Sequence, residues 1–154
     1  MPTPEPDQQV RSHSIDETHA CARAIAARLG PGAVVLLFGE LGAGKTCLVQ
    51  GLAEELGIDM RRVHSPSFTM VNTYDGRCPL HHVDLYRLNE GESFEDLGLD
   101  DLFDGDGVTV VEWAERLPLA ARPLERLDIH MSHVDEHTRL ITLRPISAAP
   151  EQRV

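Results

Sequence analysis

Hydrophobic positions follow two rhythms along the chain, and their alternation predicts a layered α/β fold. Cys21, Ile25 and Leu29 recur every fourth residue after Ser14, and Ser14 with Glu17 has capping-box spacing, so a helix is expected from Ser14 until Gly30-Pro31 stops it. Residues 33–38, AVVLLF, are a continuous apolar run, as expected of a strand buried on both faces of a parallel sheet. A second helical stripe at positions 48, 49, 52, 53 and 56 opens at Lys45 and closes at Gly57. Phe68 to Tyr74 alternates like a strand, Asp75-Gly76 is a turn signal, and Leu80 to Leu85 completes an antiparallel hairpin. A short acidic helical segment from Ser93 to Phe103 precedes VTVVE at 108–112, a buried strand ending on a carboxylate. Leu127 to Val134 and Thr138 to Leu143 read as a closing hairpin around Asp135-Glu136.

These elements suit one domain with a three-layer α/β sandwich, its central sheet mostly parallel with an antiparallel hairpin. The polar, proline-bearing residues 1–13 are expected to be disordered, residues 14–145 to form the domain, and residues 146–154 to be a flexible tail. No apolar stretch is long enough for a membrane span or a secretory signal, so a cytoplasmic location is expected. Cys21, Cys47 and Cys78 form no CxxC pair and read as free thiols.

Between the first strand and the second helix lies GELGAGKT, residues 39–46, a GxxxxGKS/T loop in the strand–loop–helix order that a phosphate cradle requires. Gly39, Gly42 and Gly44 let the backbone turn with its amides aimed inward, and the whole run Gly39, Glu40, Leu41, Gly42, Ala43 and Gly44, with Lys45, Thr46 and Cys47, is the expected nucleotide-binding segment. Lys45 is expected on the β- and γ-phosphates of ATP and the Thr46 hydroxyl on Mg²⁺.

Charge composition sharpens this picture in two ways. The net charge of −11 repels a polyanion, so direct, strong binding to nucleic acid is not expected and any RNA role is indirect. Thirteen of the fourteen cations are arginine and the one lysine is Lys45, which marks a place where a compact ammonium on a flexible stem is needed.

A phosphate cradle also needs acids to hold a metal and to orient a nucleophile. Glu112 ends the more apolar strand and is assigned to Mg²⁺, directly or through water, whereas Asp84 in HHVDLYRL is assigned to orienting or activating the attacking water or to sharing the metal; the two roles are exchangeable on sequence alone. Ser65, Ser67 and Thr69 of SPSFT stand where a γ-phosphate switch would be found, although spacing fits a plain proline turn nearly as well. Arg87 is expected to pair with a nearby acid rather than to act as an arginine finger. Trp113 either covers the nucleotide or a partner surface or fills the core. His81, His82, His130, His133 and His137 lack recognised zinc spacing and are assigned no metal role.

Taken together, GELGAGKT, SPSF, HHVDLYRL and VVEWAERL resemble, in order and separation, the bacterial tRNA threonylcarbamoyladenosine biosynthesis ATPases (TsaE), over about residues 14–144. HxDLYR followed by EW is the specific part of the likeness. Glu40 stands in place of the usual Asp, Ser67 in place of the usual Thr, and Cys47 in place of a common second Thr. The resemblance implies an ATPase, weak alone, that works with TsaB-like and TsaD-like subunits to place a threonylcarbamoyl group on adenosine 37 of tRNAs reading ANN codons. It further implies that Lys45 and Thr46 bind phosphate and Mg²⁺, Glu112 binds Mg²⁺, Asp84 is catalytic, Trp113 is functionally important, and Asp16 and Thr18 contact the base.

Two rivals stand beside that expectation. A small-molecule P-loop kinase usually begins with the loop strand and carries an arginine-rich lid, whereas here a helix precedes the strand and no lid-like arginine cluster follows. A nucleotide-gated binding module without useful hydrolysis is harder to separate, because Asp84 and Glu112 fit slow turnover as well as regulated binding.

Overall fold

In the computed structural model, described for residues 7–40, 42–66, 69–88 and 94–147, a seven-stranded sheet carries helices on one face and short helical turns on the other. The strands are β1 (Gln8–Ser12), β2 (Val34–Phe38), β3 (Val71–Asp75), β4 (Pro79–Asp84), β5 (Val108–Glu112), β6 (Arg126–His133) and β7 (Arg139–Ile146), in the spatial order β1-β7-β6-β2-β5-β4-β3. The four in the middle, β6, β2, β5 and β4, run parallel. Antiparallel partners close both margins: β3 on β4 at one, β7 and then β1 beyond β6 at the other.

Alternation along each central strand divides the core in two. Val35, Leu37, Leu80, Val108 and Val110 face the two helices α1 (Ile15–Ala26) and α2 (Lys45–Glu55). Val34, Leu36, Val83 and Val111 face the other way, under the five-residue helix α3 (Leu99–Phe103) and turns that supply Ala114 and Leu117. This second covering layer is thinner than an even three-layer sandwich would have, because the acidic segment at 94–103 spends its length on a 3₁₀ turn and a helix of little more than one turn. Every residue of β2 and β5 is buried, as expected of parallel strands covered on both sides.

Helices α1 and α2 pack closely because small residues meet. Gly51 of α2 lies against Ala22 and the backbone of His19, where an added Cβ would come within 2.6 Å of Ala22 Cβ and 2.8 Å of His19 O. Ser14 caps α1 by accepting from the Glu17 amide at 3.1 Å, and the helix ends three residues earlier than Leu29, in tighter turn bonds.

Residues 8–12 correct the expectation that order begins at Ser14. They pair along β7 from Gln8↔Leu143 to Ser12↔Arg139. Val10 packs against the core, and the Ser12 hydroxyl meets that of Thr18 at 2.6 Å. A strand with one apolar residue looks disordered by composition; here it is held by backbone hydrogen bonds along an otherwise open edge. The same sheet carries β7 through Pro145 to Ile146, one residue into the segment expected to be tail. Residues 1–6 and 148–154 lie outside the described residues.

Candidate functional site

The C-terminal ends of β2, β5 and β4 lie side by side, and the candidate site forms there, at the edge where open α/β sheets gather ligands. From Phe38 the chain turns through Gly39 (φ 153°), Gly42 (φ 82°) and Gly44 (φ 97°) into α2. A side chain at Gly39 would place its Cβ 2.6 Å from the Met131 carbonyl oxygen, so this position has room only for glycine. Gly44 is the N-cap of α2 and offers no side-chain cap, which leaves the first-turn amides directed at the loop. Uncapped amides at a helix start, with the positive end of its dipole, are a donor set for an anion. Glu40 is exposed and its carbonyl accepts from the Ala43 amide at 3.1 Å, and Ala43 is buried; Leu41 lies outside the described residues.

Lys45 is only 5 % exposed. Its ammonium donates to the Gly39 carbonyl at 2.6 Å and sits 3.5 Å above the centroid of the Trp113 ring. Burial pulls its pKa below the usual lysine range, while the negative charges of Glu115, Glu112 and Asp84 push the other way. Trp113 holds a left-handed backbone (φ 58°), a strained choice for a bulky residue. Its ring tilts against Tyr86 at 5.0 Å, with the Arg116 guanidinium 6.0 Å away.

Across from the ammonium are the acids. Asp84 and Glu112 are register partners on β4 and β5 and share the sheet face turned to α2. Glu112 is 2 % exposed, and its two oxygens lie 3.3 and 3.5 Å from the Thr46 hydroxyl, which in turn meets Ser65 Oγ at 2.5 Å. Glu112 Oε2 also shares a hydrogen bond with His82 Nε2. Asp84 is half-buried; its Oδ1 accepts from the Tyr86 amide at 2.8 Å. Burial raises the Asp84 pKa above the usual carboxylate value, the Tyr86 amide opposes that, and the neighbouring Glu112 adds to it. One hydroxyl and two carboxylates in this arrangement are hard oxygen donors of the kind a small divalent cation takes together with phosphate and water oxygens. Among the described residues no group of three or more His, Cys, Asp or Glu gathers as metal ligands.

Lys45, Thr46, Ser65, Asp84, Glu112 and Trp113 therefore come together as the sequence suggested. Ser67 lies outside the described residues, and the exposed Thr69 turns its hydroxyl to Asn72 at 3.2 Å. Arg87 borders a small cavity of about 170 Å³ with Ser65, Pro66, Asp84 and Tyr86. Asp16, Gly44 and Cys47 line another, of about 530 Å³, beside the start of α2. Thr18 borders it too, but is 4 % exposed and bonded to Ser12. Two features were missed from sequence. Glu136 and His137 of the β6–β7 turn and Arg139 at the start of β7 reach this second cavity, a tertiary approach with no local signal. His82 lies under Glu112; the signal was its place two residues before Asp84, hence on the same strand face. A larger apolar cleft of about 860 Å³ lies between α1 and the β1–β7 edge, away from the glycine loop.

Comparison with known proteins agrees in extent with this site. The family model described as threonylcarbamoyl adenosine biosynthesis protein TsaE matches residues 12–141. Two relatives, each named tRNA threonylcarbamoyladenosine biosynthesis protein TsaE, are those of Bacillus subtilis, 47 % identical over 137 residues (88 % of this chain, 84 % of the relative), and Treponema pallidum, 39 % identical over 136 residues (88 % and 90 %). Among solved structures, the crystal structure of Bacillus subtilis YdiB superposes with a TM-score of 0.77 at 38 % identity, covering 92 % of this chain and 87 % of that one.

Proposed function

This chain belongs to the TsaE family of threonylcarbamoyl adenosine biosynthesis proteins, and from that premise we propose that it is the ATPase subunit of the machinery that makes N6-threonylcarbamoyladenosine at position 37 of tRNA. In this reading it has a P-loop NTPase fold and binds and hydrolyses Mg·ATP in the cytoplasm, in complex with TsaD-like and TsaB-like subunits. The tRNA is met through those partners, in keeping with a net charge of −11. No helix among the described residues is long and apolar enough to cross a membrane.

One observation carries the reading: a buried ammonium and an uncapped helix start face a pair of register-matched carboxylates across the ends of three parallel strands. Among the described residues the Lys45 ammonium donates to the Gly39 carbonyl and lies on the Trp113 face, with the negative charges of Glu115, Glu112 and Asp84 acting on it from further off, so triphosphate oxygens would give this desolvated charge direct ionic partners. Thr46 Oγ1 and Glu112 would hold Mg²⁺, which when bound supplies neutralisation of charge developing on the phosphates. Asp84, its proton affinity raised by burial and its Oδ1 taken by the Tyr86 amide, orients the attacking water through Oδ2 and draws on its proton. Trp113 shields the ammonium from water and so strengthens its pull on phosphate.

Single-turnover ATP hydrolysis, measured for the chain alone and with TsaB-like and TsaD-like subunits, tests this. A slow basal rate that the partners raise is expected. A rate indifferent to partners would contradict the complex-dependent reading and favour a nucleotide-gated binding module.

A further inference from the structure

The fully buried His82 is unexplained by packing alone. Its imidazole has no solvent exposure, and its Nδ1 finds no hydrogen-bond partner among the described residues. An apolar side chain of similar size would avoid that loss, so what stands against it is the one polar contact the ring makes among the described residues, between Nε2 and Glu112 Oε2. In the neutral ring, a proton on Nε2 makes this contact a donation and leaves Nδ1 as a bare acceptor.

The geometry around Glu112 shows what the contact decides. Thr46 Oγ1 is almost equidistant from the two carboxylate oxygens, at 3.3 and 3.5 Å, so the hydroxyl by itself does not fix which of them faces the glycine loop. His82 removes that equivalence by occupying Oε2. It can do so because His82 and Asp84 are two residues apart on β4, on one face, and Asp84 is the register partner of Glu112 on β5; His82 is thus the diagonal neighbour of the glutamate, one step deeper under the site.

Resting on the Mg·ATP reading above, we propose that His82 is a positioning residue that holds the Glu112 carboxylate with Oε1 presented beside Thr46, and thereby sets the affinity of the site for its divalent cation. It touches neither nucleotide nor metal. Ligand-orienting partners of this kind are worth about 10–100-fold in metal affinity.

The test measures Mg²⁺ binding apart from turnover. Calorimetric titration of Mg²⁺ into the protein–ADP complex is carried out for the wild type, His82→Leu, His82→Asn and His82→Gln, each with its ADP affinity in EDTA. The Gln amide nitrogen is as many bonds from Cβ as Nε2 and restores the donor; that of Asn stops one bond short. Leu and Asn are expected to weaken Mg²⁺ by about 10–100-fold while metal-free ADP binding stays within about twofold, and Gln to restore most of the loss. Unchanged Mg²⁺ affinity in Leu and Asn, or a Gln variant as impaired as Leu, would overturn the proposal. Should the variants not fold, ¹⁵N imidazole spectra of the wild type decide: a proton on Nε2 is required, and an Nε2 without one overturns it. A wild type that takes up no ADP at all would fell the nucleotide reading beneath, and this inference with it.

Discussion

Gly51→Ala sets two well-known effects against each other, and the structure decides which wins. In an isolated helix the change would stabilise by about 0.5–1 kcal/mol, because glycine loses more backbone freedom than alanine. At this position the new Cβ would lie 2.6 Å from Ala22 Cβ, 2.8 Å from His19 O and 3.0 Å from His19 Cα, two of the three being backbone atoms of α1 that have no rotamer to escape into. Overpacking of that kind costs about 1–3 kcal/mol, so a net loss of about 1–2 kcal/mol is expected, or about 3–6 °C in Tm for a domain of this size. Gly51 sits six residues, about 9 Å, along the axis from Lys45, so prising the helices apart also tilts the start of α2 against the end of β2. Urea unfolding of wild type, Gly51→Ala, Ala22→Gly and the double variant measures this. Ala22→Gly should recover part of the loss in the Gly51→Ala background, through a coupling of opposite sign to its own helix-weakening effect. A Gly51→Ala variant as stable as the wild type, or more so, would refute the close packing argued here.

Asp84→Asn should stabilise the apo protein at neutral pH. Burial raises the folded-state pKa of Asp84 above its ordinary 3.8, so the stability that its protonated form contributes is complete below 3.8 and is lost as pH rises through the folded value; the variant's advantage in urea unfolding should therefore fade as pH falls towards 3.8. An advantage independent of pH would contradict the burial argument. Lys45→Ala should abolish nucleotide binding in calorimetry, whereas Asp84→Ala should keep binding and lose about 10²-fold or more in single-turnover hydrolysis. Equal weakening of binding by both variants would refute that division of roles.

Most of the fold was legible because its signals are local. The apolar run of β2, the stripe of α2 and the carboxylate-ended β5 were all read close to their observed limits, since burial on both faces leaves an unbroken run and burial on one face leaves a period. β1 was missed because its stability lies in pairing with β7, more than 125 residues away, and not in its own polar composition. The site divides in the same way. The glycine loop, Lys45 and Thr46 form one contiguous motif, and Asp84 and Glu112 betray themselves as acids at strand ends. His82 carries the same strand period as Asp84, yet its meaning depends on which residue of β5 lies beside it, a matter of sheet register that one sequence does not display. Glu136, His137 and Arg139 reach the cavity beside α2 through the folding back of the β6–β7 hairpin, which brings them to residues more than 85 positions earlier.

In the proposed function Lys45 and the uncapped start of α2 grip a triphosphate. Isothermal titration of the wild-type chain with ATP in excess Mg²⁺ measures that grip directly. Saturable uptake of one nucleotide per chain is expected, and it should vanish in Lys45→Ala. An absence of heat and of competition by ADP in the wild type, with the protein folded, would contradict it.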